Sequence, residues 1–161
     1  MSLADRLDRA LAHRWADRPV QALIVDDDQA IRETLSQMLR DEGFDAIEAS
    51  DGGEALALLR AATQPTLALL DMWMPVVSGE TALLAALALA PTLRVRLGFI
   101  VMTASPQLTS TRVQAAMRSL DIPLLVKPFD IDTLIELVYA CSERLSDGVV
   151  VRRARSSGSL A

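Results

Sequence analysis

The sequence predicts an α/β fold: a doubly wound five-stranded parallel sheet with strand order 2-1-3-4-5. Three observations predict it. Five short apolar runs alternate along the chain with five stretches of helical periodicity, joined by short loops. Most of the runs are continuously apolar, as strands covered on both faces are. Right-handed crossovers between parallel strands then leave few topologies.

The elements follow in order. Residues 1–18 carry Leu3, Leu7, Ala10, Leu11 and Trp15 at helical spacing, with charged residues between them, and predict an amphipathic extension. His13, the sole histidine, lies there without a cluster and reads as surface. Pro19 ends the extension, and Ala22 to Val25 form the first strand, running straight into Asp26, Asp27 and Asp28. A helix follows with Ile31, Leu35, Met38 and Leu39 on one face. Asp28 is available as its cap and Gly43 marks its end. Asp45 to Ala49 alternates polar and apolar, as a less buried outer strand does. Asp51 and Glu54 make a capping-box-like start to a helix bearing Ala55, Leu56, Leu59 and Ala62.

The third strand, Leu67 to Leu70, ends abruptly in one carboxylate, Asp71. Pro75 and Gly79 then break the chain before a helix from about Glu80 to Leu89. After a turn through Pro91, a fourth strand, Phe99 to Met102, delivers Thr103. A weaker amphipathic helix places Val113, Ala116, Met117 and Leu120 in register. Pro123 to Val126 is the fifth strand and delivers Lys127. The last helix, capped by Asp130, has Ile131, Leu134, Ile135, Val138, Cys141 and Leu145 on its apolar face. From 146 the chain reads as a linker-like, locally basic tail to 161.

Composition sets bounds. A chain of 161 residues, 51% hydrophobic, is most simply one domain with length enough for a core, here residues 20–145. The longest wholly apolar run, Ala82 to Ala90, is far short of the roughly 18 residues of a membrane span. The charged N-terminus does not resemble a signal peptide, so a cytoplasmic location is expected. The single cysteine, Cys141, cannot form an internal disulfide and reads as a small core residue. A net charge of −5 argues against nucleic acid as the partner of this domain. Of the 16 basic residues only Lys127 is lysine, a compact point charge where arginine offers a planar fork.

In the order 2-1-3-4-5 the first and third strands are neighbours at the switch point, where open α/β sheets bind ligands. Their ends would bring Asp26, Asp27 and Asp71 together, with Thr103 and Lys127 arriving from adjacent strands. Three adjacent carboxylates after a buried strand repel one another unless a cation sits among them, and Mg²⁺ suits such oxygen ligands. No Gly-rich phosphate loop follows the first strand, which weighs against a dinucleotide or P-loop site. Asp71 beside two carboxylates and a hard cation is suited to attack phosphorus and form an acyl phosphate. Thr103 and Lys127 would then meet the phosphoryl oxygens.

The pieces Val25-Asp26-Asp27-Asp28, Leu70-Asp71-Met72-Trp73-Met74-Pro75, Met102-Thr103-Ala104 and Val126-Lys127-Pro128-Phe129 stand in order at strand ends. From about Val20 to Leu145 the chain resembles a response-regulator receiver domain, the phosphoacceptor half of two-component signalling. The resemblance implies a flavodoxin-like and CheY-like three-layer sandwich. It implies phosphorylation of Asp71 by a histidine kinase or phosphotransfer protein, and a switch in binding to a downstream output domain or protein. It implies Mg²⁺ held by Asp27 and Asp71, by Asp26 largely through water, and by the main-chain carbonyl of Trp73. A cis peptide between Lys127 and Pro128 is implied as well. A homodimer is a further expected partner, a membrane is not, and nucleic acid would be reached only through a separate output domain.

Three positions depart from the family pattern. Leu124 stands where an aromatic normally precedes the lysine by three residues. Ser119 to Pro123 replaces a Gly-Ala turn, and Trp73 and Ser105 fill the variable positions flanking the phosphoryl group. Two rival readings have their own signatures. A phosphorylation-independent pseudo-receiver would not respond to a phosphoryl analogue. A phosphatase with an aspartyl nucleophile would place a second acid two residues after Asp71, where this chain has Trp73.

Overall fold

The computed structural model describes residues 2–6 and 19–157. The strands are β1 (Gln21–Val25), β2 (Asp45–Ala49), β3 (Thr66–Asp71), β4 (Leu97–Thr103) and β5 (Leu124–Val126). The helices are α1 (Gln29–Asp41), α2 (Gly52–Arg60), α3 (Gly79–Leu87), α4 (Thr111–Leu120) and α5 (Ile131–Ser157), with single helical turns at Pro91–Arg94 and Pro106–Leu108. All strand pairs are parallel and the order is β2-β1-β3-β4-β5, the predicted topology.

Alternate residues of each strand feed two cores. Ala22, Ile24, Leu67, Leu69, Ile100 and Met102 meet Leu35 and Leu39 of α1 and Leu134, Ile135 and Val138 of α5. Leu23, Val25, Ala68, Leu70, Phe99 and Val101 meet Leu59 of α2, Leu83 of α3, and Val113 and Met117 of α4. The sheet is thus the middle of three layers. Each fully buried leucine contributes about 1.5–3 kcal/mol. Every residue of β3 is buried, so its one charge is confined to the last position.

The helix starts are local chemistry. Asp28 caps α1 by accepting from Ala30 N at 2.9 Å and Ile31 N at 3.2 Å. Asp51 Oδ1 accepts from Glu54 N at 2.9 Å. The Glu54 carboxylate reaches back to Ser50 N at 2.8 Å, one residue before the cap, so the box is displaced from its usual form. Gly43, at φ 93°, takes the left-handed turn after α1. Cys141 is buried, as expected of a core residue.

Several helix faces differ from the periodic reading. Leu120 and Ile131 are exposed, because β5 has only three residues and no sheet lies beneath the ends of α4 and α5 nearest it. Tyr139 is buried and donates from its hydroxyl to Glu42 Oε2 at 2.9 Å. Arg6 also hydrogen-bonds the Glu42 carboxylate and lies 3.6 Å from Asp132, which ties residues 2–6 to α1 and α5. The rest of the N-terminal extension, with His13, lies outside the described residues. Helix α5 runs on to Ser157, so the expected linker-like stretch from 146 is helical over its described part. Gly148 costs a helix about 1 kcal/mol, too little alone to end it. No helix among the described residues is long and apolar enough to cross a membrane.

Candidate functional site

Four strand ends build the site, those of β1, β3, β4 and β5. β1 stops at Val25 and hands Asp26 to the loop, and Asp26 N still bonds Ala49 O at 3.3 Å. The Asp26 side chain is only 1% exposed. Its Oδ1 accepts from Asp28 N at 2.9 Å, and Arg32 Nη1 donates to the Asp26 carbonyl at 2.8 Å. Asp71, 6% exposed, pairs in register with Met102, and Met72 N continues the ladder to Met102 O at 3.0 Å. Thr103 ends β4 fully buried, and its carbonyl accepts from Lys127 N at 2.8 Å. The Lys127–Pro128 peptide is cis.

The side chains converge. Carboxylate oxygens of Asp26, Asp27 and Asp71 lie within 4.8 Å of one another, with Asp27 exposed and the other two buried. Lys127 Nζ is 2.8 Å from Asp26 Oδ2 and 3.6 Å from Asp71 Oδ2, bridging the two buried acids. Thr103 Oγ1 accepts from Ser105 N at 3.1 Å, which leaves its own proton free to point elsewhere. Trp73 N donates to Asp71 Oδ1 at 3.3 Å, while the Trp73 side chain is 48% exposed on the loop.

The charges explain one another. Burial pushes the Asp71 carboxyl above its usual range. Lys127 opposes the shift, and the negative charges of Asp26 and Asp27 add to it. Burial works against the charged form of Lys127. The hydrogen bond to Asp26 and the charges of Asp71 and Asp26 outweigh that, and its pKa is raised. One ammonium thus bridges two of the three carboxylates, and Asp27 is left outside that contact. A set of hard oxygen donors with surplus negative charge fits a divalent cation such as Mg²⁺.

Two loop features escaped the sequence. A Cβ on Gly79 would sit 2.0 Å from the carbonyl oxygen of Asp71, so helix α3 starts directly against the backbone of the central acid. Gly79 N also donates to Met72 O at 3.2 Å. The signal was present, since a glycine just after the cap Ser78 marks close backbone approach. Val76 adopts φ 69° while 96% exposed, an outlier for a β-branched residue that no local rule anticipates. Arg32, which donates to the Asp26 carbonyl, carries no sequence signal that marks it.

With this geometry in place, the chain belongs to the response regulator receiver domain family, which it matches over residues 22–139. It is 33% identical over 132 residues to the transcriptional regulatory protein PdtaR of Mycobacterium tuberculosis, an alignment covering 80% of this chain and 60% of that protein. It is 30% identical over 125 residues to the DNA-binding response regulator MtrA of Mycolicibacterium smegmatis, covering 78% and 51% of the two chains. The chain therefore spans about 60% of one curated relative and half of the other. Among solved structures, a CheY-like receiver domain protein from Methanospirillum hungatei superposes with TM-score 0.69 at 26% identity, covering 80% of this chain and 98% of that one. The chemotaxis protein CheY4 of Vibrio cholerae gives TM-score 0.62 at 28% identity, covering 76% and 98%.

Proposed function

We propose that this receiver domain accepts a phosphoryl group on Asp71 and uses it to switch partner binding. The observation that carries the reading is the junction of three carboxylates within 4.8 Å, two of them, Asp26 and Asp71, bridged by the only lysine in the sequence. An Asp71 carboxylate oxygen attacks phosphorus of a phosphohistidine on a histidine kinase or phosphotransfer protein. A P–O bond forms, the P–N bond breaks, and the imidazole leaves with the electron pair.

Asp26, Asp27 and Asp71, with the main-chain carbonyl of Trp73, would hold Mg²⁺. When bound, the ion supplies positive charge against the phosphoryl oxygens and the crowded acids. The Thr103 hydroxyl, whose oxygen already accepts from Ser105 N, donates its proton to a phosphoryl oxygen. Lys127 offers its ammonium to another, at the cost of loosening its contact with Asp71. The signal then passes to an output domain or protein, and nucleic acid would be reached only through such an output. The setting is that of a cytoplasmic phosphorelay.

Mass spectrometry after treatment with acetyl phosphate and Mg²⁺ tests the reading. The mass gain of one phosphoryl group is expected on the peptide containing Asp71, and its loss in Asp71→Asn. No gain, as a phosphorylation-independent module would give, overturns the proposal, as does a gain on another residue. Continuous turnover of a phosphate ester would instead favour a phosphatase.

A further inference from the structure

We propose that Arg32 is a positioning residue for the divalent cation: held by Glu48, it fixes the Asp26–Asp27 peptide and thereby keeps the Asp27 carboxylate beside the other two acids. The inference rests on the reading that Asp26, Asp27 and Asp71 hold Mg²⁺, and it concerns the acid with the least support of its own. Asp26 is held at every polar atom. Its N bonds Ala49 O at 3.3 Å, its Oδ1 accepts from Asp28 N at 2.9 Å, its Oδ2 from Lys127 Nζ at 2.8 Å and its carbonyl from Arg32 Nη1 at 2.8 Å. Asp71 has Lys127 and the Trp73 amide. The Asp27 carboxylate is exposed and makes no hydrogen bond or ion pair among the described residues.

The position of Asp27 is therefore set through the backbone. A peptide unit is planar, so the Asp26 carbonyl and the Asp27 nitrogen turn together, and a bond that pins the oxygen fixes where the Asp27 Cα begins. The sequence places the donor for this. Arg32 N bonds Asp28 O at 3.0 Å, so Arg32 stands one turn into α1, and a helical side chain leans back toward the N-terminus. Its side chain, 15% exposed, thus reaches the loop ahead of the helix rather than solvent.

Glu48 aims the guanidinium. It lies on β2, in register with Ile24 of β1, and its Oε2 accepts from Arg32 Nε at 3.3 Å. Its Oε1 is 3.8 Å from Arg40 Nη2, which donates to Ala46 O at 2.9 Å, so the carboxylate is itself held from the far side. A planar fork serves a carboxylate and a carbonyl at once, where an ammonium is a point charge. Glu48 also offsets the charge that Arg32 brings up behind the acids. By charge alone Arg32 opposes a metal ion, and by position it favours one. The two effects have opposite signs, which makes them separable.

Mg²⁺ titration of the full chain, followed by amide NMR at Asp27 and Trp73, tests the inference and needs no phosphoryl group. Arg32→Met keeps an apolar stem and removes the donors. It should weaken Mg²⁺ binding about three- to tenfold, because apparent affinity falls with the fraction of molecules whose Asp27 is in place. Charge alone would strengthen it. Glu48→Gln and Glu48→Met remove the same charge, but only glutamine keeps an acceptor for Arg32 Nε. Glu48→Gln should stay within about twofold of the unaltered chain, and Glu48→Met should bind about threefold more weakly than Glu48→Gln. In an Asp27→Asn background Arg32→Met should cause no further loss, since two changes acting on one group do not add. Unchanged or tighter binding in Arg32→Met, equal affinity of the two Glu48 variants, or a full further loss in the Asp27→Asn background each overturns the inference and leaves the metal site standing. Were Arg32 only a tie for α1, Arg32→Met would lower Tm and leave the Mg²⁺ affinity of the folded protein as it was. Absence of saturable Mg²⁺ shifts in the unaltered chain overturns the metal reading beneath it.

Discussion

Replacing Gly79 by alanine is expected to disturb the site without touching any side chain in it. The new Cβ would lie 2.0 Å from the Asp71 carbonyl oxygen, 2.8 Å from the Asp71 carbonyl carbon and 2.9 Å from Met72 Cα, where an ordinary contact is 3.4–4 Å. All three atoms are backbone, so no rotamer change relieves the overlap. Either α3 or the end of β3 must move. Overpacking of this kind costs about 1–3 kcal/mol, and in a chain of this size each kcal/mol lowers Tm by about 2–4 °C. The expected fall is therefore roughly 2–12 °C. The matched control is Gly53→Ala in α2, whose Cβ would meet Asp51 Oδ1 at 3.1 Å and Val77 Cγ2 at 3.6 Å, both at the ends of side chains. Alanine's better helix propensity offsets that mild crowding, so this change should stay within about 1 kcal/mol. Thermal unfolding by circular dichroism, with Mg²⁺ titration by calorimetry, gives the answer. Gly79→Ala should lose both stability and Mg²⁺ affinity, and Gly53→Ala neither. Equal melting of the two variants would refute the claim that α3 rests on the Asp71 backbone.

Two further outcomes are expected. Asp71→Asn should stabilise the protein in chelator at neutral pH, because burial raises the carboxyl's pKa and ionising it costs the folded state. The stability of protonated Asp71 is present below about pH 4 and is lost as pH rises through the raised folded value, so the gain should shrink toward acid. A gain independent of pH, or a loss at neutral pH, contradicts this account. Trp73→Asn should speed loss of the phosphoryl group, since Trp73 stands two residues past Asp71 with its amide on Oδ1 and its half-exposed indole beside the loop. Radiolabel decay in the purified phosphoprotein reads it, and equal or slower decay in the variant rejects a shielding role.

Much of the site was legible because charge is expensive inside a buried strand. Asp71 after the buried run Leu67 to Leu70 could sit only at a strand end, Lys127 follows the half-exposed edge strand β5, and parallel topology put those ends together. The sheet order was less directly legible: of the two edge strands only Asp45 to Ala49 read as an outer one, while β5, the other edge, did not. Other features depend on contacts that no period encodes. Helical spacing placed Leu120 and Ile131 on apolar faces, but burial depends on how far the sheet extends, and three-residue β5 does not reach them. The cluster of Arg6, Glu42 and Tyr139 joins residues far apart in sequence with no shared motif. Val76 adopts a conformation that costs an L-residue about 1–2 kcal/mol, which only the surrounding loop can impose.

That loop is fixed from both sides, which bears on how a small chemical change could be felt. Gly52 N donates to Val77 O at 3.0 Å, and a Cβ on Gly52 would press on the Val77 and Ser78 carbonyls, so α2 abuts the same segment that Gly79 packs against Asp71. On the other side, Lys127 holds Asp26 and Asp71 while its own amide bonds Thr103. Reversing a 1:99 conformational population takes about 5.5 kcal/mol, and hydrogen bonds to a charged group supply about 1.5–3 kcal/mol each. Two to four such bonds are therefore required, the number that Thr103, Lys127 and one or two loop amides could make to a phosphoryl group on Asp71. Thr103 begins the connection that leads through the turn Pro106–Leu108 to α4, so that segment is the one a change at Thr103 would meet first.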